Sequence, residues 1–374
     1  MQPRTSCHLP SQFASERFLP GVFYNSCVKI WNVIVVGGGI IGLSLSIELR
    51  KRGATVLVVE RGEPGREASH AAGGMLVDCP LETPPALQEL ASASARMYPE
   101  FAHELEVESG TKVDLRDQGT ILFAPPDHVA SAGLVTIQTA DVEPVLAQQP
   151  TPAFYVKERS VDPRALTAAA LKTAKSRGVD FSSGDPVTSV NLSDDHVSGV
   201  TTAKTSFLAE KVVNCAGAWS GQIAPHAFPT RPVKGQMLCL AMPSRNLLNH
   251  VIRSPKAYLI PRSDGRLLVG ATVEEAGFDK RTVPDTIQKL HRAALELVPK
   301  LVDAKILEDW AGLRPGTPDG LPILGTTTTP GYYIATGHFR DGILLAPITA
   351  KVMARMIEGR EPEYDLSSFS PTRF

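Results

Sequence analysis

The feature that most constrains this chain is Val33-Ile34-Val35-Val36 running straight into Gly37-Gly38-Gly39-Ile40-Ile41-Gly42. Four consecutive β-branched residues read as a parallel strand buried on both faces, and the glycines turn it into a helix. Apolar residues from Ile40 onward and the closing Arg50-Lys51-Arg52-Gly53 predict a helix over 40–52, with cations at its negative end and a glycine stop. Thr55 to Val59 then forms a second strand ending in Glu60. This is the frame of a dinucleotide site. Gly37 permits the tight turn, Gly39 lets backbone approach a pyrophosphate, and Gly42 lets helix and strand pack closely. The helix start at Ile40 and Ile41 supplies amide donors and a partial positive charge. Glu60 is placed to accept hydrogen bonds from ribose hydroxyls and would repel a 2′-phosphate, which disfavours NADP.

At 374 residues and 43% hydrophobic, the chain exceeds the length at which one core usually splits, so two domains are expected. A formal charge of -1 leaves no basic excess for a nucleic acid or an anionic membrane. Cys7, Cys27, Cys79, Cys215 and Cys239 are scattered and never form C-x-x-C, which suggests neither a disulfide framework nor a metal site and fits a cytoplasmic location. Residues 1–28 are polar and carry prolines at 3, 10 and 20. They read as a disordered leader or an early start; Arg4, Arg17 and the serines keep a weak targeting reading open, against which Glu16 and the prolines argue. The most apolar run, from Val33 to Leu49, is interrupted by glycines and falls short of a membrane span.

The glycine motif alone does not separate FAD from NAD, so later segments decide. Arg61-Gly62-Glu63-Pro64-Gly65-Arg66-Glu67-Ala68-Ser69-His70-Ala71-Ala72-Gly73-Gly74-Met75 follows the second strand. Val212-Val213-Asn214-Cys215-Ala216-Gly217-Ala218-Trp219-Ser220 reads as a late strand ending in a glycine turn. Gly337-His338-Phe339-Arg340-Asp341-Gly342-Ile343-Leu344-Leu345-Ala346-Pro347 is a glycine-framed turn opening a helix that continues to Ile357. With Trp310-Ala311-Gly312-Leu313-Arg314-Pro315-Gly316, these segments resemble the D-amino-acid oxidase and glycine oxidase superfamily over nearly the whole chain after residue 30, and within it the glycine oxidases of thiamine biosynthesis.

The resemblance implies FAD as cofactor. It places Arg61, Ser69, Ala72, Gly73 and Met75 against it, where small side chains permit close approach, and adds Val187, Ala216, Gly217 and Trp219. The turn residues His338, Arg340, Asp341, Gly342, Ile343 and Leu344 complete the set, with the helix N-terminus aimed where reduced flavin gathers negative charge. Related sarcosine oxidases tether flavin through a late cysteine, and none occurs here after Cys239; non-covalent FAD is therefore implied.

For the substrate, a small amino acid, Arg314 is the expected carboxylate clamp, because a guanidinium fork makes two parallel charge-assisted bonds. Tyr258 sits on an apparent hairpin strand that turns at Ser263-Asp264-Gly265, and offers a second donor or simple core packing. Arg340 lines the pocket or holds the flavin edge, and Met75 is an apolar wall or a gap-filler. His338 is structural or touches flavin; no side-chain base is expected. The implied reaction is hydride transfer from the neutral amine to flavin, then imine hydrolysis and reoxidation by molecular oxygen. A D-amino-acid or sarcosine oxidase, or a quinone-linked dehydrogenase of the same fold, stays open, as does a non-catalytic flavin scaffold that would not need Arg314. Relatives are often oligomeric, so a homo-oligomer stays open too.

The expected fold class is α/β: a Rossmann-like FAD-binding domain assembled from 29–80, 155–225 and 308–362, plus an α+β substrate domain with a mixed sheet from 81–154 and 226–307. Asp162 and Pro163 predict the start of a helix running to about Ser176, packed in the FAD domain.

Overall fold

A computed structural model describes residues 29–129 and 133–374; the expectation for 1–28 lies outside the described residues. Strand β1 (Ile30–Val36) pairs in parallel with β2 (Val56–Glu60), Val33 facing Val56 and Val36 facing Val59. Helix α1 (Ile40–Lys51) bridges them. The other edge of β1 takes the late strand Ser206–Asn214 in parallel, Val36 opposite Asn214. That strand then divides its far edge between the antiparallel His196–Thr202 and the parallel Tyr332–Thr336. In all, eight strands form this first sheet. Its central side chains are closed to solvent on both faces: Val35 meets the helices, and Ile34 meets Val190, Val200 and Tyr332. A continuous β-branched run is what such a two-sided burial requires.

α1 packs against the helices Pro163–Ser176 and Gly342–Ile357. As expected, Asp162 caps the former, accepting from the amides of Arg164 at 2.9 Å and Ala165 at 3.3 Å. The second sheet is mixed, with eight strands in the order Lys305–Gly316, Arg231–Ala241, Arg266–Gly270, Tyr258–Pro261, Val251–Arg253, Thr120–Phe123, Ala153–Val156 and Val135–Ile137. Its one parallel pairing joins Val251–Arg253 to Thr120–Phe123. The helix Pro284–Leu297 covers its back, burying Ile287, Leu290, Ala294 and Leu297 on Leu238, Leu240 and Leu267.

Packing differs from the sequence expectation at two places. Gln88–Ser109, expected with the substrate domain, buries Leu90, Ala91, Tyr98, Ala102 and Leu105 in the core shared with α1. Its apolar stripe announces a helix but does not say which layer receives it. Lys305–Gly316, whose residues from 308 onward were expected in the FAD domain, is instead the edge strand of the second sheet. Among the described residues no helix is long and apolar enough to cross a membrane.

Candidate active site

A cavity of about 720 Å³ is lined by both large sheets, a size suited to a ligand of cofactor dimensions. At one end the C-terminal edge of β1 turns through Gly37, whose φ of +106° is strained for other residues and where a Cβ would collide with the Cys215 carbonyl. Glu60, 7% exposed, accepts from the amides of Gly38 at 2.7 Å and Gly62 at 2.9 Å and faces the cavity. Its remaining lone pairs are available to ribose hydroxyls. Helix geometry leaves the first amides of α1 without intrahelical acceptors. The Ser69 hydroxyl oxygen accepts from Ile40 at 2.9 Å, which leaves its own proton free to donate to a phosphate oxygen. Across the mouth, the Arg61 guanidinium lies 3.8 Å over the Trp219 ring, a cation–π pair whose members both line the cavity. A glycine turn too tight for a Cβ, a ribose-ready acid and open amides are the donor set that an adenine dinucleotide needs.

A second helix N-terminus opens on the cavity at Gly342. The turn before it is compact: Gly337 has φ +75°, Phe339 has φ +46°, and the Asp341 amide donates to the His338 carbonyl at 2.8 Å. His338 lines the cavity, is 3% exposed and pairs with the Thr349 hydroxyl at 3.1 Å. Burial pushes its imidazole down to about 3, so it is neutral and no proton acceptor at physiological pH. Burial raises the Asp341 carboxyl to about 6 against the pull of Arg340. Pro347 inside this helix has no amide to give the Ile343 carbonyl. The buried Tyr98 hydroxyl fills the gap, donating to Ile343 O at 2.5 Å, while Ser94 donates to Leu344 O at 2.6 Å. Sequence reasoning missed both residues. A proline four residues after a site residue was the signal that an outside donor must exist.

The facing wall comes from the second sheet. Arg314 stands opposite Val233 in the strand pairing, and its guanidinium lies over Gly235, where a Cβ would collide with it. It donates to two backbone carbonyls, Thr272 O at 3.0 Å and Lys234 O at 3.4 Å, and lies beside the Tyr258 phenol as a further hydrogen-bond partner. Among the described residues it forms no salt bridge. Tyr258, opposite Gly270 in the expected hairpin, directs its hydroxyl toward Met237 Sδ at 3.8 Å. Burial raises the phenol, and the positive charges of Arg314 and Arg340 offset it in part. Met75 both lines the cavity and packs with Met237, Ile260 and Tyr258, so it serves as wall and as filler together. Arg340 is exposed at the rim, 5.3 Å from the centre of the Phe339 ring.

The structure brings nearly all the expected residues to one cavity: Gly37, Gly39, Ile40, Ile41, Glu60, Arg61, Ser69, Ala72, Gly73, Met75, Val187, Ala216, Gly217, Trp219, Tyr258, Arg314, His338, Arg340, Asp341, Gly342 and Ile343 all line it. Gly42 and Leu344 do not. Gly42 acts in packing, since a Cβ there would run into the Gly37 carbonyl. Leu344 is 1% exposed, with its side chain packed in the helical core and off the cavity wall. Gly235, Met237 and an ion-paired annex went unforeseen. In that annex Arg253 Nη1 meets Glu82 at 2.8 Å and Nη2 meets Glu158 at 3.0 Å, with burial raising Glu158 to about 7.

Comparison with known proteins agrees with this geometry. A family of FAD dependent oxidoreductases, DAO, matches residues 32–356. Glycine oxidase of Pseudomonas aeruginosa is 34% identical over 359 residues, 91% of this chain and 98% of that one. The bifunctional protein ThiO/ThiG of Trichormus variabilis is 35% identical over 92% of this chain, which spans only 55% of its length. The crystal structure of glycine oxidase from Geobacillus kaustophilus matches with a TM-score of 0.87 at 31% identity, covering 92% of this chain and 99% of that one. With a dinucleotide cradle, a second helix aimed at the same cavity and a family match across most of its length, this chain belongs to the DAO family of FAD dependent oxidoreductases.

Proposed function

We propose that the enzyme oxidises the C–N bond of glycine to give glyoxylate, ammonia and hydrogen peroxide in the cytoplasm, with sarcosine and small D-amino acids as further substrates that yield the corresponding 2-oxo acid, amine or ammonia, and hydrogen peroxide. Arg314 carries this reading: a guanidinium on the cavity wall, held by backbone carbonyls beside the Tyr258 phenol and, among the described residues, in no salt bridge. A cation so placed is poised for an incoming carboxylate, which it can grip through two parallel N–H donors. A scaffold that only stored flavin would have no use for it.

The chain's own groups then position and exclude. Tyr258 keeps its proton, because burial raises the phenol, and so remains a donor to the same carboxylate. Met75, Met237 and Tyr258 close the wall around the substrate and favour a short side chain. The positive charges of Arg314 and Arg340 disfavour an ammonium in the pocket and so favour the neutral amine, whose lone pair drives loss of the α-hydrogen. His338 is held neutral and bonded to Thr349, so the rate comes from alignment and field rather than from a side-chain base. The glycine turn, Glu60 and the two helix ends would hold FAD, which when bound would supply the hydride acceptor and the route for electrons to molecular oxygen. The resulting imine hydrolyses, or is consumed in building the thiamine thiazole ring, as kinship with the ThiO/ThiG proteins suggests.

Incubation with glycine in air should yield glyoxylate, ammonia and peroxide in equal amounts. Glyoxylate formed only when a quinone or dye replaces oxygen would move the assignment to a dehydrogenase.

A further inference from the structure

Arg262 is among the largest fully buried side chains, at 0% exposure, and does not itself line the cavity. It follows the strand Tyr258–Pro261 at the hairpin turn. A buried cation is costly unless it is paired, yet the two nearby acids are largely committed elsewhere. Asp162 caps its helix with one oxygen and binds Arg266 at 2.6 Å with the other. Asp114 accepts from the Ser263 amide at 2.9 Å and hydroxyl at 2.6 Å. Both lend Arg262 electrostatic support, but among the described residues its Nε and Nη1 have no acceptor. Among the described residues its one side-chain hydrogen bond runs from Nη2 to the Gly73 carbonyl.

Gly73 and Gly74 do line the cavity. They are held without slack: a Cβ on Gly73 would stand 2.8 Å from Ile260 Cδ1, Gly74 has φ +78°, and the Gly74 carbonyl accepts from Val161 at 2.8 Å. A charge-assisted bond to the Gly73 carbonyl both fixes that peptide and polarises it, which strengthens the Gly74 N–H as a donor.

We infer that Arg262 is a positioning residue for the flavin, acting from behind the wall through the Gly73–Gly74 peptide to orient that segment and to add positive potential where the cofactor takes up electrons. This rests on FAD occupying the cavity, not on glycine being the substrate. The cation remains charged at neutral pH even though burial lowers it to about 10.

The test is the midpoint potential of bound FAD in the holoenzyme, measured by dye-coupled reduction with no amino acid present, alongside the FAD dissociation constant. Arg262→Met, similar in length but neutral, should shift the reduction equilibrium about tenfold toward oxidised flavin, about 30 mV for a two-electron couple. Arg262→Lys, which keeps the charge but not the fork, should show an intermediate shift of about threefold. KM for glycine should hold in both while flavin reduction slows. Should the methionine variant fail to retain FAD, the lysine variant decides alone. A wild-type potential in either FAD-loaded variant overturns the inference and leaves Arg262 a packing residue.

Discussion

On one side of the cavity, one β–α–β unit from Gly37 to Glu60 carries, almost without help, the turn, the helix amides and the buried acid proposed to hold the cofactor. The facing wall takes Gly235, Tyr258 and Arg314 from three different strands, and none of them means anything until those strands are in register. The first side is local chemistry, in which spacing along the chain is spacing in space. The second is tertiary, and its function depends on pairings that span much of the sequence. Damage to the first should therefore remove the cofactor, whereas damage to the second should spare the cofactor and remove the substrate.

The largest effect is expected from Gly37→Ala. The added Cβ meets the Cys215 carbonyl in a backbone conformation that alanine resists, so the protein should purify without FAD. Stoichiometric FAD in that variant would break the comparison at its firmer end. Next is Arg314→Ala, which should keep FAD and its spectrum while kcat/KM for glycine falls by about a hundredfold, about 3 kcal/mol of lost transition-state binding. Loss of FAD together with activity would mean that the two sides are not separable.

Tyr98→Phe probes the seam between them. It strands the Ile343 carbonyl that Pro347 cannot serve, and an unpaired buried acceptor costs about 2 kcal/mol. Thermal unfolding should shift down by several degrees, with weaker FAD retention as the helix N-terminus loosens; an unchanged Tm would sever that helix end from its clamp.

The smallest effect concerns Asp341. Its carboxyl is raised to about 6 by burial, so it is neutral below that pH and places a negative charge at the helix N-terminus above it. The wild-type flavin potential should match that of Asp341→Asn below pH 6 and fall below it as pH rises through 6. The linked stability has the same sign: relative to the asparagine variant, the fold loses ground from about pH 4, where an unfolded aspartate ionises, until the folded group has titrated. Parallel potential curves across that window would show that Asp341 does not sense the flavin.

How much of this was legible follows the same division. Residues 33–60 announced strand, turn, helix, strand and acid in order, because each signal is local. The Asp162–Pro163 helix start and the Tyr258 hairpin were equally readable, a cap and a short turn being chain-neighbour effects. Arg314 was named through family resemblance, but its seat over Gly235 depends on the pairing of Val233 with Arg314, which no local pattern encodes. Residues 88–109 were assigned with 81–154 to the substrate domain, yet their helix packs in the other layer, since an apolar stripe fits any apolar partner. Leu344 was swept in by a motif whose backbone faces the site while its side chain turns into the core.

The proposed function turns on an amino acid held by Arg314 reducing the bound flavin. Its most direct test is an anaerobic visible spectrum of the purified holoenzyme as glycine is added. Glycine should bleach the flavin band, and the band should return on admitting air. A band that glycine leaves unchanged, though dithionite bleaches it, would contradict the claim.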